Sequence, residues 1–285
     1  MSKITVGQEN STPIELYYED HGSGDPLVLI HGWPLDSRSW EPQLHALIAA
    51  GHRVINYDRR GFGQSSRPTE GYDFDTMAED LDKLLSALDL HDVTLIGFSL
   101  GTGELVRYIG KHGTERVKAC VIIETLAPDF TKSDENPKGV DEAAVAATQQ
   151  AILDDRFAWW AAALKDFANL DDYLGKRISE ETVRDAWSAG TSGSPWATWA
   201  CVPGWLDNWA EDLKRIDVPT LIMQGSADRI LSPEGQGRRL AALLPEATYV
   251  EIEGGPHLMA ITHASEVNEH LLAFLREPAK VAAPA

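Results

Sequence analysis

One stretch limits the possible folds of this chain more than any other: Val93-Thr94-Leu95-Ile96-Gly97-Phe98-Ser99-Leu100-Gly101-Thr102-Gly103. A short apolar run leads into Gly-x-Ser-x-Gly, and a helix is expected from about Leu100 to Lys111. This is the pattern of a sharp strand-to-helix turn with Ser99 strained at its apex. Gly97 and Gly101 flank the bend, where side chains would collide as strand and helix close on each other. A helix starting after Ser99 aims unpaired N–H groups at any negative charge that develops there. Gly-x-Ser-x-Gly alone recurs by chance, so its weight comes from the strand before it and the helix after it.

Similar units lie on either side. Leu27-Val28-Leu29-Ile30 is a continuous apolar run, as a strand buried on both faces requires; Val117–Ile123, apolar but for Lys118, and Arg53–Tyr57 read as further strands. Between them, helical spacing predicts helices from about Trp40 to Ala50 and from Phe74 to Leu90, the second with Met77, Leu81, Leu84, Leu85 and Leu88 on one face. Ile14–Glu19 alternates and is expected to pair with Ile4–Val6 in a hairpin. After a break, Pro219–Gly225 and Thr248–Ile252 resume the strands, with helices near Glu234–Leu244 and Ser265–Leu275. Such alternation implies crossover connections: an α/β fold with a mostly parallel sheet, helices on both faces and ligands at the strands' carboxyl ends.

The break is a change of composition. From about Pro128 to Asp212 strand-like runs disappear, and seven of the nine tryptophans gather there: Trp159, Trp160, Trp187, Trp196, Trp199, Trp205 and Trp209. Helices are expected over Asp141–Leu153, Arg156–Phe167 and Glu180–Ser188. The reading is a core of residues 1–127 and 213–276, an inserted helical cap of 128–212 and a frayed tail of 277–285. Most of the tryptophans are expected to pack the cap, with a few lining an apolar acyl pocket.

A net charge of −19 argues against nucleic acid or an anionic membrane as partner. No apolar run approaches the roughly 20 residues a bilayer span needs, and Met1–Asn10 lacks a signal-peptide pattern. Cys120 and Cys201 have no metal-ligand spacing. The expectation is a cytoplasmic protein without metal or other cofactor.

A serine hydroxyl needs a base to take its proton, and the base needs a carboxylate to fix its tautomer. Ser99, Asp228 and His257 each follow a predicted strand, in the order Ser, Asp, His of a hydrolase built on such a sheet. His263, the nearest rival base, sits just ahead of the last helix and is read as surface or N-terminal to it. His31 is expected to hold a loop, and Asp58 would matter only if the nucleophile were a carboxylate. Oxyanion donors are expected from the backbone N–H groups of Leu100 and Trp33. Pro34 biases Trp33 to an extended conformation, which would turn the Trp33 carbonyl toward a small nucleophile such as peroxide; simple stiffening of the loop is the equal alternative.

His31-Gly32-Trp33-Pro34-Leu35, Tyr57-Asp58-Arg59-Arg60-Gly61-Phe62-Gly63-Gln64-Ser65-Ser66, Gly97–Glu104 and Gly255-Pro256-His257 resemble the cofactor-free, non-heme haloperoxidases, or perhydrolases, of the α/β-hydrolase superfamily. The likeness runs through nearly the whole chain. It implies an esterase triad of Ser99, Asp228 and His257 with oxyanion donors at Trp33 and Leu100. It also implies small esters as substrates, peracid formation from hydrogen peroxide and a short carboxylic acid, and a trimer or hexamer. The chain departs from the group at Leu100, where Met is common, in Glu124–Pro128, where more apolar residues would be expected, and in the tryptophan-rich stretch 194–209. A lactone or amide hydrolase with the same triad, and a hydrolase-like ligand receptor, are the alternatives.

Overall fold

The computed structural model describes residues 2–134 and 136–276; the expected frayed tail of 277–285 lies outside them. Asn10 and Ser11 both take positive φ, the conformation a tight hairpin turn demands, and join β1 (Ser2–Glu9) to β2 (Thr12–Gly22). β3 (Pro26–Ile30), β4 (Arg53–Tyr57), β5 (Val93–Phe98), β6 (Val117–Ile123), β7 (Thr220–Gly225) and β8 (Thr248–Ile252) follow. The eight strands form one sheet in the order β1-β2-β4-β3-β5-β6-β7-β8. β2 pairs antiparallel with β1 and β4, and every other pairing is parallel.

Strand periodicity divides the core in two. Val28 and Ile30 of β3, with Val93 and Leu95 of β5, face one apolar cluster; Leu27 and Leu29, with Ile96 and Phe98, face the other. The helices Phe74–Ala87 and Leu100–His112 cover the first face, and Glu41–Ala49 and Ala264–Arg276 cover the second. Phe74–Ala87 starts where Asp73 Oδ1 accepts from Thr76 N at 2.8 Å, and it buries Met77, Leu81, Leu84 and Leu85.

Between β6 and β7 the chain adds no strand to the sheet and is mainly helical. The first two helices expected there, Asp141–Leu153 and Arg156–Phe167, follow one another within Glu142–Phe167 and are separated by a kink at Asp155, whose φ of −159° and ψ of 92° are not helical. Asp155 Oδ1 accepts from Ala158 N at 2.9 Å, so this residue caps the second half and separates the segments where the periodicity lapses. The helix expected over Glu180–Ser188 runs on to Ser192. Among the described residues, no helix is long and apolar enough to cross a membrane.

Candidate active site

Six loops leave the carboxyl ends of β3 to β8 along one edge of the sheet, and the functional candidates stand on them. Ser99 follows β5 directly with φ 52° and ψ −120°, a strained turn between strand and helix. Glycine at both flanks is obligatory here: a Cβ on Gly97 would lie 2.7 Å from the Gly101 carbonyl oxygen, and one on Gly101 2.4 Å from that of Ile30. Asp228 lies three residues beyond β7 and His257 five beyond β8.

The fold brings the three together. His257 Nε2 is 3.0 Å from Ser99 Oγ, and its Nδ1 is 2.8 Å from Asp228 Oδ2. Asp228 Oδ1 accepts from the backbone N–H groups of Ile230 (2.7 Å) and Leu231 (2.9 Å). These bonds leave Nδ1 of His257 as the donor to Asp228 and Nε2 free to accept the Ser99 proton. Phe98 and Phe167 pack on the imidazole, with ring centroids 5.3 and 4.8 Å away. Burial opposes ionisation of Asp228, but His257 and the N–H donors hold its carboxyl below the usual carboxylate range.

Ser99 and His257 open into a cavity of about 320 Å³, at the small end for ligand sites. Trp33, Leu100, Leu126, Phe130, Trp159, Phe167, Trp205 and Leu231 are among the apolar residues of its wall, which also includes Asp166 and Arg229. Trp33 is fixed by its indole N–H to Thr198 O (3.1 Å) and packs against Trp159 and Trp205 at 5.3 and 4.8 Å. The tryptophans thus divide: Trp159 and Trp205 line the cavity, Trp160 and Trp209 are buried in packing, and Trp187 and Trp196 are exposed. Leu100 opens the helix after Ser99, and Trp33 stands in the loop after β3, so the backbones expected to donate to an oxyanion both border the cavity. Pro34 does not line it; Pro34 is buried and joined to Trp33 by a cis peptide bond.

The other candidates have structural duties. His31 is fully buried: its Nδ1 bonds Gly32 O at 2.8 Å and its Nε2 accepts from Arg59 N at 2.9 Å, bracing the loop that carries Trp33. Burial and the Arg59 charge hold the imidazole pKa well below its ordinary value. Asp58 accepts backbone N–H bonds from Ser37 and Gln64 at 2.8 and 2.7 Å and ties two loops together. Glu104 receives Arg59 Nε at 2.6 Å and the Tyr57 hydroxyl, so the Asp-Arg-Arg and Gly-Thr-Gly-Glu blocks meet as a buried brace. His263 does precede the last helix, but it is not a surface residue: it is 2% exposed, beside Thr262 Oγ1 (2.9 Å) and edge-on to Tyr173.

Sequence reasoning marked Glu124 only as part of a departure from the resembled group and gave it no role in the site. It follows β6 directly, is fully buried with φ 51°, and points at Asp228 from the neighbouring strand. Glu124, Asp228 and His257 form the cluster whose spacing suits a cation, with one oxygen or ring nitrogen from each within 4.8 Å of the others. Asp228 is already committed to His257 and two N–H groups, however, which leaves little of it for a metal. The available signal was a charged residue placed directly after the apolar run Ala119–Ile123.

The family model for the α/β hydrolase fold matches residues 25–264. A relative from Synechocystis sp., provisionally named a non-heme chloroperoxidase, is 50% identical over 97% of this chain and 100% of its own length. A non-heme chloroperoxidase of Kitasatospora aureofaciens is 38% identical over 93% of this chain and 97% of its own. A crystal structure of a bromoperoxidase from Bacillus anthracis superimposes with a TM-score of 0.92 at 41% identity, covering 97% of this chain and 99% of that one. The chain is an α/β hydrolase of the non-heme haloperoxidase family. The braced loops around His31 and Glu104 frame one side of the site in this haloperoxidase-family hydrolase, and Trp33 and Leu100 are carried on that frame.

Proposed function

We propose that the protein is a serine hydrolase of small carboxylic esters that also forms peracids from hydrogen peroxide. The hydrogen-bonded series Ser99–His257–Asp228 beside a small, mostly apolar cavity that Ser99 and His257 line carries this reading. His257 Nε2 takes the Ser99 proton as Oγ attacks the ester carbonyl, and Asp228 stabilises the imidazolium that forms. The N–H groups of Leu100 and Trp33 receive the developing oxyanion. His257 then protonates the departing alkoxide, leaving an acyl group on Ser99. Water, activated by the same imidazole, releases the acid; hydrogen peroxide in its place releases the peracid and restores the Ser99 hydroxyl. The peracid can oxidise halide away from the protein, so the reading calls on no metal or other cofactor. A perhydrolase needs a nucleophile as small as peroxide, and the loop of Trp33 and Pro34 is where we place its positioning.

A bifunctional esterase/perhydrolase of Acinetobacter calcoaceticus, 30% identical over 92% of this chain and 96% of its own, supports the pairing of both reactions in one site. The substrates are then a small ester, or a short carboxylic acid with hydrogen peroxide, and the assembly an oligomer, as the resemblance implies. The test is Ser99→Ala, read with p-nitrophenyl acetate and with peroxide-dependent halide oxidation in one preparation. We expect both activities to fall together, by about 10³- to 10⁶-fold in kcat. Equal ester turnover in the two proteins would overturn the proposal; loss of ester turnover with halide oxidation intact would overturn its perhydrolase half.

A further inference from the structure

The triad carries a second carboxyl behind its first. Glu124 comes off the end of β6, Asp228 off the end of β7, and the two share one donor: Gln224 Nε2 contacts Glu124 Oε2 and lies 3.3 Å from Asp228 Oδ2 and 3.0 Å from Leu231 O. Glu124 Oε1 accepts from Gly225 N at 3.0 Å. Gly225 also makes room for the carboxyl, since a Cβ there would lie 2.8 Å from Glu124 Oε1. The seat is specific, and it is dry: Glu124, Gln224 and His257 are 0% exposed and Asp228 is 6%.

Charge does not balance in this seat if both carboxyls are ionised. The titratable groups facing Glu124 are Asp228 and His257; its other partners are the neutral Gln224 amide and the Gly225 N–H. No Lys or Arg side chain hydrogen-bonds Glu124 or Asp228 among the described residues. In the series Ser99–His257–Asp228, the imidazole gives the carboxyl pair a single N–H, from Nδ1 to Asp228, and its Nε2 faces Ser99. Two buried carboxylates this close, without a cation, hold one proton between them. Asp228 has His257 and two backbone N–H groups on its oxygens, against one backbone N–H and a shared amide for Glu124. The proton therefore resides on Glu124. Burial first, and then the Asp228 charge, push the Glu124 carboxyl well above the ordinary range.

We propose that Glu124 is a positioning residue of the proposed triad: a neutral carboxylic acid that keeps a single negative charge behind His257 and supplies that charge itself when Asp228 cannot. The proposal rests on the serine-hydrolase reading. In the resting protein the pair bears one charge, held on Asp228. If that charge is removed, the second cause of Glu124's retained proton goes with it and burial alone remains; as an imidazolium forms on His257, its charge favours release of the Glu124 proton to solvent, and the Glu124 carboxylate stands near enough to stabilise it.

The test is a double-mutant cycle on ester hydrolysis. Alanine is the right change at Asp228, because asparagine would be fixed by Ile230 and Leu231 with its amide N–H₂ toward His257, forcing the wrong tautomer. We expect Asp228→Ala to lower kcat by about 10²-fold, less than the ~10⁴-fold typical where no second carboxylate stands by. Adding Glu124→Gln to Asp228→Ala should cost roughly a further 100-fold, against under about tenfold for Glu124→Gln in the wild-type background. Equal factors in both backgrounds would assign Glu124 a merely structural role and overturn the proposal. Infrared spectra supply the arm that needs neither turnover nor the double variant. At pH 7 the wild type should show the carbonyl band of a buried protonated acid that Glu124→Gln removes; unchanged spectra would overturn the proposal even if a variant failed to fold. Ester turnover that survived Ser99→Ala would instead strike the functional reading and leave the infrared result standing.

Discussion

The two walls of the cavity are built on opposite principles. On the sheet side, Ser99, His257 and Asp228 are polar, buried and hydrogen-bonded in series, each held by a loop that a strand end fixes in place. On the side of residues 128–212, Phe130, Trp159, Phe167 and Trp205 present large apolar surfaces, held by packing. A buried polar relay tolerates no loss, since each partner left behind becomes an unsatisfied group in a low-dielectric site. Apolar walls are forgiving: they set the size and shape of what enters, and one methylene changes selectivity modestly. On the proposed reading, chemistry is thus placed on the hydrogen-bonded half of the molecule and selectivity on the half held by packing.

The sharpest test of this division is His257→Ala. It should lower kcat for p-nitrophenyl acetate by up to about 10⁶-fold, as losing the base of a serine triad does elsewhere. Trp205→Ala lies on the other side of the comparison. It should raise the ratio of kcat/KM for the butyrate over the acetate ester by about tenfold while costing acetate turnover far less than His257→Ala. If Trp205→Ala abolished turnover as His257→Ala does, the two walls would not be separable.

The smallest expected effect concerns the brace beneath both. His31 is neutral when folded, and protonating Nε2 would break its bond to Arg59 N. Its folded pKa is depressed, so the unfolded chain binds the extra proton and the contribution to stability is lost as pH falls below about 6.5. The unfolding free energies of wild type and His31→Gln should therefore converge by up to about 1.4 kcal/mol per pH unit below that point. Urea titrations between pH 7.5 and 5.5 measure it; a pH-independent gap would show that His31 does not act as a neutral acceptor.

Much of this was legible in local pattern. Largely apolar runs announced β3, β5, β6 and β7, because strands buried on both faces leave little room for polar alternation. Glycines around Ser99 announced the turn, because only a missing Cβ allows Gly101 so near the Ile30 carbonyl. Helix ends were less legible: Glu180–Ser192 outran its apolar pattern, and the break at Asp155 depended on one side chain capping the turn that follows it. His263 looked exposed from its place ahead of a helix, but the packing of Tyr173 against it buries it.

By itself the sequence determined the order of strands, the elbow at Ser99 and the positions of Asp228 and His257 after their strands, since each is a matter of neighbours along the chain. Only the tertiary structure decided what Glu124 is. Its meaning depends on the parallel pairing of β6 with β7, which sets it beside Gln224, Gly225 and Asp228, about 100 residues away in the chain. A carboxyl's protonation is set by the charges and water around it in space, and residues so remote in sequence become its surroundings only when the sheet has formed.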